Sequence, residues 1–246
     1  MKRVFISLLT LVIFLLPAYA QQTNISRYVV FTGYSYLTTP SIGLNQNGFD
    51  GSFGINANRW LGLGTDFSIF TGSTNIGFGS TTLGAQLTPI TPPGFPAGLS
   101  GVFAPTSQTT YVWGAGPKAN LRKWKKLTLF AHPGLGLMHA SASLNTTSVN
   151  AQLTTLAQAN PAAVPVLQSA GVQAVLAKLQ SHMTDTVPFF GAGVGLDINA
   201  SRHVGLRFTT DWVRSHMFSD LLNWQDDIRI SVGPVWGFGE VSPRTK

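Results

Sequence analysis

Two residues on one predicted strand have side chains that could do hydrolytic chemistry. His139 and Ser141 are two positions apart, so an extended strand points both side chains to the same face. A histidine beside a serine can take up the hydroxyl proton and make the serine a nucleophile. A triad also needs a carboxylate to orient the histidine, and Asp185 is the only nearby candidate because the chain has no glutamate before Glu240. His139 and Ser141 therefore remain weak candidates, and we predict no enzymatic activity.

Two other patterns could bind ligands. Gly191, Gly193 and Gly195 are similar to a glycine-rich phosphate loop, but no helix follows them, and small side chains on one strand face explain the spacing better. The five histidines lack the spacing of metal ligands. We predict neither a metal nor a cofactor.

A third set consists of charged residues that alternate with apolar ones. Four are acidic and four are basic, and this balance indicates ion pairs within an enclosed space more than a selectivity ring of one sign. The set is Asp50, Asp66, Asp197, Asp211, Lys118, Arg122, Arg207 and Arg229. Such a network requires elements with one apolar face and one enclosed face.

The beginning of the chain predicts export. Lys2 and Arg3 precede an apolar run from Val4 to Leu16, and a small-residue site ends at Ala20, which together are typical of a cleaved signal peptide over residues 1–20. A run of this length is short for a membrane-spanning helix, which needs about 20 residues. Without cysteine, the exported domain at 21–246 must be stable without disulfides.

The overall composition is unusual for a soluble domain. Only 10% of the residues are charged, whereas soluble domains use about a quarter. The net charge of +7 and the scattered basic residues do not form a nucleic-acid patch, so we predict no nucleic-acid partner. Because no later apolar run is long enough for a spanning helix, a membrane crossing would use strands.

Alternation with a period of two predicts eight strands. Their approximate ranges are 27–37, 48–58, 61–71, 109–122, 127–144, 186–199, 204–213 and 228–239. The first is apolar on both faces, which leaves its orientation open. Short connections at 58–60, 122–126 and 200–203 alternate with longer ones at 38–47, 72–108, 145–185 and 214–227, as in a closed antiparallel up-and-down barrel with short periplasmic turns and long extracellular loops.

Aromatic residues occur near both predicted strand ends, as in the interfacial girdles of membrane barrels. The predicted girdle consists of Trp60, Tyr111, Trp113, Trp124, Trp212 and Trp236. The alternative is that these aromatics form the core of a soluble sandwich.

Two further features concern helices and prolines. In the longest loop, residues 148–159 and the spacing of apolar residues from Val172 to Met183 predict one or two short helices at the barrel mouth, with a disordered loop as the alternative.

Four prolines fall within or beside strands, and we expect bulges or strand ends there because proline cannot donate to the ladder. They are Pro117, Pro133, Pro188 and Pro234.

The strand segments resemble those of OmpA-like outer-membrane β-barrel domain proteins. The resemblance rests on residues 31–37, 58–68 and 116–118 and covers most of the mature chain outside the long loops. It implies an eight-stranded, porin-like transmembrane barrel in the outer membrane of a Gram-negative envelope. The chain is too short after its last strand for the peptidoglycan-binding domain of some relatives.

The last strand also carries the pattern by which such barrels are recognised for assembly. Its positions are Ser231, Gly233, Trp236 and Phe238, and here residues 239–246 follow, whereas in the family the signal usually closes the chain. The resemblance implies the barrel assembly machinery as a partner, together with outer-membrane lipid and lipopolysaccharide.

The function predicted from these patterns is that of a non-enzymatic outer-membrane barrel. It would serve envelope structure, bind an extracellular ligand through its long loops, or allow limited passage through a narrow lumen. One alternative is a lipid A-modifying hydrolase, because His139 and Ser141 resemble the His-x-Ser of lipid A deacylases. The other is a periplasmic, lipocalin-like lipid-binding barrel, which would require apolar residues inside and polar residues outside.

Overall fold

Eight antiparallel strands form a closed barrel in the computed structural model, which describes residues 25–78, 102–159, 161, 164–168, 173, 182–219 and 222–241. The strands are β1 Tyr28–Thr39, β2 Leu44–Asn56, β3 Leu61–Phe78, β4 Val102–Leu121, β5 Leu127–Leu144, β6 His182–Asn199, β7 Val204–Ser215 and β8 Gln225–Phe238. Each strand pairs with the next, and β8 pairs with β1, so the predicted up-and-down barrel is confirmed. The predicted signal peptide lies outside the described residues.

Side chains along each strand alternate between the two faces of the sheet. In β7, for example, residues at odd positions are buried and those at even positions are exposed. The orientation of β1, which its sequence left open, is now clear: Phe31, Ser35 and Leu37 point inward, while Tyr28 and Tyr34 point outward. In the central part of the barrel the outward face is apolar, so the core of this protein is the barrel lumen.

The strands extend further toward the long-loop end than the alternation pattern indicates. β3 continues to Phe78 and pairs with β4 back to Val102, and β6 begins at His182. The connection between β1 and β2 is a turn of residues 40–43, in which Gly43 has φ 64°, so the long loop predicted at 38–47 is largely strand. Backbone pairing continues where the apolar alternation has ended, because hydrogen bonds of the ladder do not depend on side-chain type.

The four prolines occupy strands without shifting the register. Pro117 and Pro133 lie opposite each other where the β4–β5 pairing is interrupted, and the same register resumes on both sides of the gap. Pro234 lies at a similar gap between β8 and β1, and Pro188 lies just before the first β6–β7 pair. The unshifted register shows no bulge at Pro117, Pro133 or Pro234, where the pairing is interrupted instead because proline has no N–H to donate. Pro188 lies at the end of the β6–β7 pairing, which agrees with the alternative of a strand end.

The described residues between β5 and β6 include two helices. They are α1, Thr146–Ala159, and α2, Val164–Leu167. Asn145 caps α1, since its side-chain oxygen accepts a hydrogen bond from the Ser148 amide at 2.9 Å. The helical spacing from Val172 to Met183 is only partly realised: Gln173 is helical, but Met183 belongs to β6, and most of the segment lies outside the described residues. None of the helices in the described ranges has the length and apolar character needed to span a membrane.

Candidate functional site

The lumen contains all eight charged residues of the predicted network. Six of them, Asp50, Asp197, Asp211, Arg122, Arg207 and Arg229, are almost fully buried, and Asp66 and Lys118 are partly buried. They come from six strands and one turn, so a closed barrel is needed to bring them together. The lumen is therefore the candidate functional site, because eight charged side chains meet there and six of them are almost fully buried.

Arg229 is the centre of the larger cluster. Its Nε donates to Asp211 Oδ2 at 2.9 Å, and its Nη1 donates to Asp66 Oδ2 at 2.6 Å and to Ser68 Oγ at 2.9 Å. Ser68 in turn donates to Asp50 Oδ1 at 3.1 Å. One buried guanidinium thus connects carboxylates of β2, β3 and β7.

A second cluster forms around Arg207. Its guanidinium contacts both carboxylate oxygens of Asp197, at 2.6 and 2.9 Å, and lies over the rings of Phe31 and Phe130 at 5.4 and 4.8 Å. Lys118 Nζ lies 3.5 Å from the centre of the Phe130 ring. This bidentate pair between two aromatic faces is the geometry that favours arginine over lysine.

Inward glycines provide the space for these side chains. A Cβ on Gly193 would overlap Asp211 and His132, and a Cβ on Gly195 would overlap the Phe130 ring. His132 lies 3.1 Å from Asp211 and belongs to the same cluster, although its sequence context did not assign it a role. The cavity left between the two clusters is about 70 Å³, which is room for a few water molecules.

A buried apolar cluster lies in the lumen on the long-loop side of the charges. We call it the apolar plug; it consists of Leu37, Phe70, Val112, Met138, Ala140, Phe189, Val213 and Met217. Met217 reaches it from the β7–β8 loop, which is fixed by hydrogen bonds from the Phe218 amide to Asp185 and from Gln225 to the Met217 carbonyl. Sequence reasoning missed the plug, although Val112 and Met138 occupy inward positions of the alternation.

The outer face carries a broad apolar belt. Val194 and Leu63 are each 61% exposed and Leu135 is 70% exposed, so large apolar side chains lie where a soluble protein would place polar ones. Of the predicted girdle, Trp60 is exposed at the short-turn end, and Tyr111, Trp113 and Trp212 are exposed toward the long-loop end. Trp124 and Trp236 are half-buried near the short turns. Trp224 and Tyr34, which the prediction omitted, are also exposed on the long-loop side.

Solved structures share this architecture. Neisserial surface protein A is 14% identical to this chain, with 87% of this chain and 98% of that chain covered and a TM-score of 0.51. The chain has the fold of the small eight-stranded outer-membrane β-barrels. Two further neighbours are OprG of Pseudomonas aeruginosa and Ail of Yersinia pestis. OprG is 9% identical, with 89% of this chain and 98% of that chain covered and a TM-score of 0.46. Ail is 14% identical, with 87% of this chain and 97% of that chain covered and a TM-score of 0.44. No known protein family matches the chain, and no curated protein is similar to it in sequence.

Within this outer-membrane-type barrel, the candidate hydrolytic residues are not assembled into a triad. His139 Nδ1 lies 2.7 Å from Thr186 Oγ1, and Ser141 is on the same outward strand face. Asp185 is at an inward position, where it accepts hydrogen bonds from the Thr186 and Phe218 amides. Its role in the described structure is to hold the backbone of β6 and the β7–β8 loop.

The four residues of the predicted assembly pattern occupy both faces of β8. Ser231 is buried and shares a 2.8 Å hydrogen bond with Ser35, and Gly233 packs tightly against the backbone of Thr32. Trp236 and Phe238 share the outward face, and Phe238 ends the strand. No group of metal-ligating residues occurs in the described part of the chain.

Proposed function

We propose that the protein is an integral outer-membrane barrel with a sealed lumen, which serves envelope structure or surface interaction and has no catalytic activity. The observation that carries the proposal is the combination of an apolar outer belt with inward charges that pair with one another. This arrangement suits a bilayer outside and an enclosed polar interior. It is the opposite of a lipocalin, whose apolar residues line the inside.

The paired lumen charges and the apolar plug favour a structural role over transport. Ions would have to cross both the charge network and the apolar plug, and a dehydrated apolar constriction is a barrier to ions. Surface interactions would then involve the long-loop end, where α1 and the β7–β8 loop lie. Export by a signal peptide at residues 1–20, contact with lipopolysaccharide and insertion by the barrel assembly machinery are parts of the same proposal.

The absence of catalysis is proposed from the position of the candidate residues. His139 is engaged by Thr186, and Asp185 is hydrogen-bonded on the other face of the sheet. Lipid profiles of cells that produce the wild type or Ser141→Ala should therefore be identical. A lipid A species that disappears with the variant would support the hydrolase instead.

Planar-bilayer recordings of refolded protein test the sealed lumen. Insertion is verified separately, by protection of the strands from protease in the same membranes. An absence of current then cannot be caused by protein that failed to insert. We expect no large steady conductance steps from the wild type. Steady steps of uniform size would contradict the sealed lumen and favour a pore.

A further inference from the structure

The short-turn end of the barrel is strongly basic. Its three short turns, residues 57–60, 122–126 and 200–203, contain six lysines and arginines and no carboxylate. These are Arg59, Arg122, Lys123, Lys125, Lys126 and Arg202. Cations gathered at the rim of a low-dielectric cylinder produce a positive potential that attracts anions.

A cavity opens into this basic end. It has a volume of about 290 Å³, and its lining includes Arg122, Lys125, Lys126, Arg202 and His203. Pockets that hold small ligands begin at about 300 Å³, so the cavity suits a compact ligand. Asp197 also lines it, but both of its oxygens are engaged by Arg207.

Arg122 is the most deeply buried of these cations. It is 6% exposed, and its Nη1 donates a hydrogen bond to the Arg59 carbonyl at 2.5 Å. Within the described ranges, Arg122, Lys125 and Lys126 form no ion pair with a carboxylate, whereas Arg202 is paired with Glu240. Asp197 attracts Arg122, but both of its oxygens are engaged by Arg207, so an anion in the cavity would offset part of the cost of burying the Arg122 charge.

We propose that this mouth, at the short-turn end, is a binding site for a small phosphate-bearing anion. A phosphate group offers several acceptor oxygens and at least one negative charge, which matches a guanidinium fork and two nearby ammonium groups. The group could belong to a soluble phosphate compound or to the headgroup of an anionic lipid at the rim. The site adds to the proposed membrane role, but binding itself requires only the folded barrel.

Titration of inorganic pyrophosphate into the full chain in phosphatidylcholine nanodiscs tests the site, because both mouths are accessible there. Calorimetry should show saturable binding that the double variant Lys125→Gln/Lys126→Gln weakens at least about tenfold, since hydrogen bonds to charged groups contribute about that much. Lys123→Gln is the matched control, because it changes the charge of the same turn without lining the cavity. It should change the affinity less than about twofold.

Repeating the titration in nanodiscs that contain phosphatidylglycerol distinguishes the two sources. Weaker apparent binding of pyrophosphate would show that lipid headgroups reach the site, and unchanged binding would assign it to soluble anions. Absence of saturable binding, or equal weakening by Lys123→Gln, would overturn the inference. Incorporation into nanodiscs is scored independently, so a protein that fails to enter the bilayer argues against the membrane barrel and not against the anion site.

Discussion

At the scale of single residues, the lumen depends on a few side chains with many partners. Arg229 contacts Asp211 and Asp66 and is connected through Ser68 to Asp50. Removing it would leave carboxylates buried without a counter-charge, which is more costly than never burying the pair. By contrast, Arg214 forms an exposed pair with Asp226 at 3.7 Å, and such pairs contribute little.

Arg229→Ala should therefore lower the free energy of unfolding by about 3–5 kcal/mol. Arg214→Ala, which removes an exposed arginine, should cost less than about 1 kcal/mol. Urea titrations of both variants in the same lipid vesicles compare them directly. Equal losses would mean that the network does not stabilise the barrel.

The sequence predicted the facing of these residues but not their partners. Alternation assigns Asp66 and Arg229 to the inward face, yet they are 163 positions apart, and only closure of the barrel brings them together. The contact of Lys118 with Phe130 likewise depends on rotamers that no spacing rule provides. The apolar plug was not predicted, because the alternation was used to identify the apolar outward face. Apolar residues at inward positions were not considered together.

At the scale of elements, helix α1 shows that a local sequence pattern can predict a helix within a long loop. Asn145 accepts from the Ser148 amide, and Val149 is the residue that α1 buries. The prediction of helix at 148–159 agrees with α1, because helix formers and a cap act within a few residues. The strand ends beyond the apolar belt were less predictable, since pairing there has no accompanying alternation of apolar side chains.

Asn145→Ala should loosen α1 locally, at a cost of about 1 kcal/mol, because the Ser148 amide loses its acceptor. Amide hydrogen exchange should become faster in the first turn of α1 while the β3–β4 ladder is unaffected. Asn150→Ala is the control, since Asn150 lies inside α1 and is not the cap. Unchanged exchange in the capped turn would show that the side chain of Asn145 does not hold the helix.

At the scale of the whole molecule, the apolar outer belt determines whether the barrel is suited to water or to a lipid bilayer. Val194 lies within the belt, and Leu61 lies at the short-turn rim beside Trp60. On a soluble protein, arginine would be harmless at either exposed position. In a bilayer, its cost depends on depth.

Val194→Arg should therefore destabilise the barrel in lipid by about 2–4 kcal/mol, and Leu61→Arg by at most about 1 kcal/mol. Reversible urea unfolding in phosphatidylcholine vesicles measures both. If the two substitutions are equally tolerated, the belt does not contact hydrocarbon.

The most direct test uses single-cysteine variants, because the natural chain has no cysteine. Nitroxide labels at Leu63→Cys and Val194→Cys, compared with one in the short turn at Asn58→Cys, report collisions with lipid-soluble oxygen and with a water-soluble nickel chelate in vesicles. We predict that oxygen dominates at Leu63 and Val194 and that the chelate dominates at Asn58. Equal access of the chelate to all three positions would contradict a barrel whose apolar face contacts the bilayer.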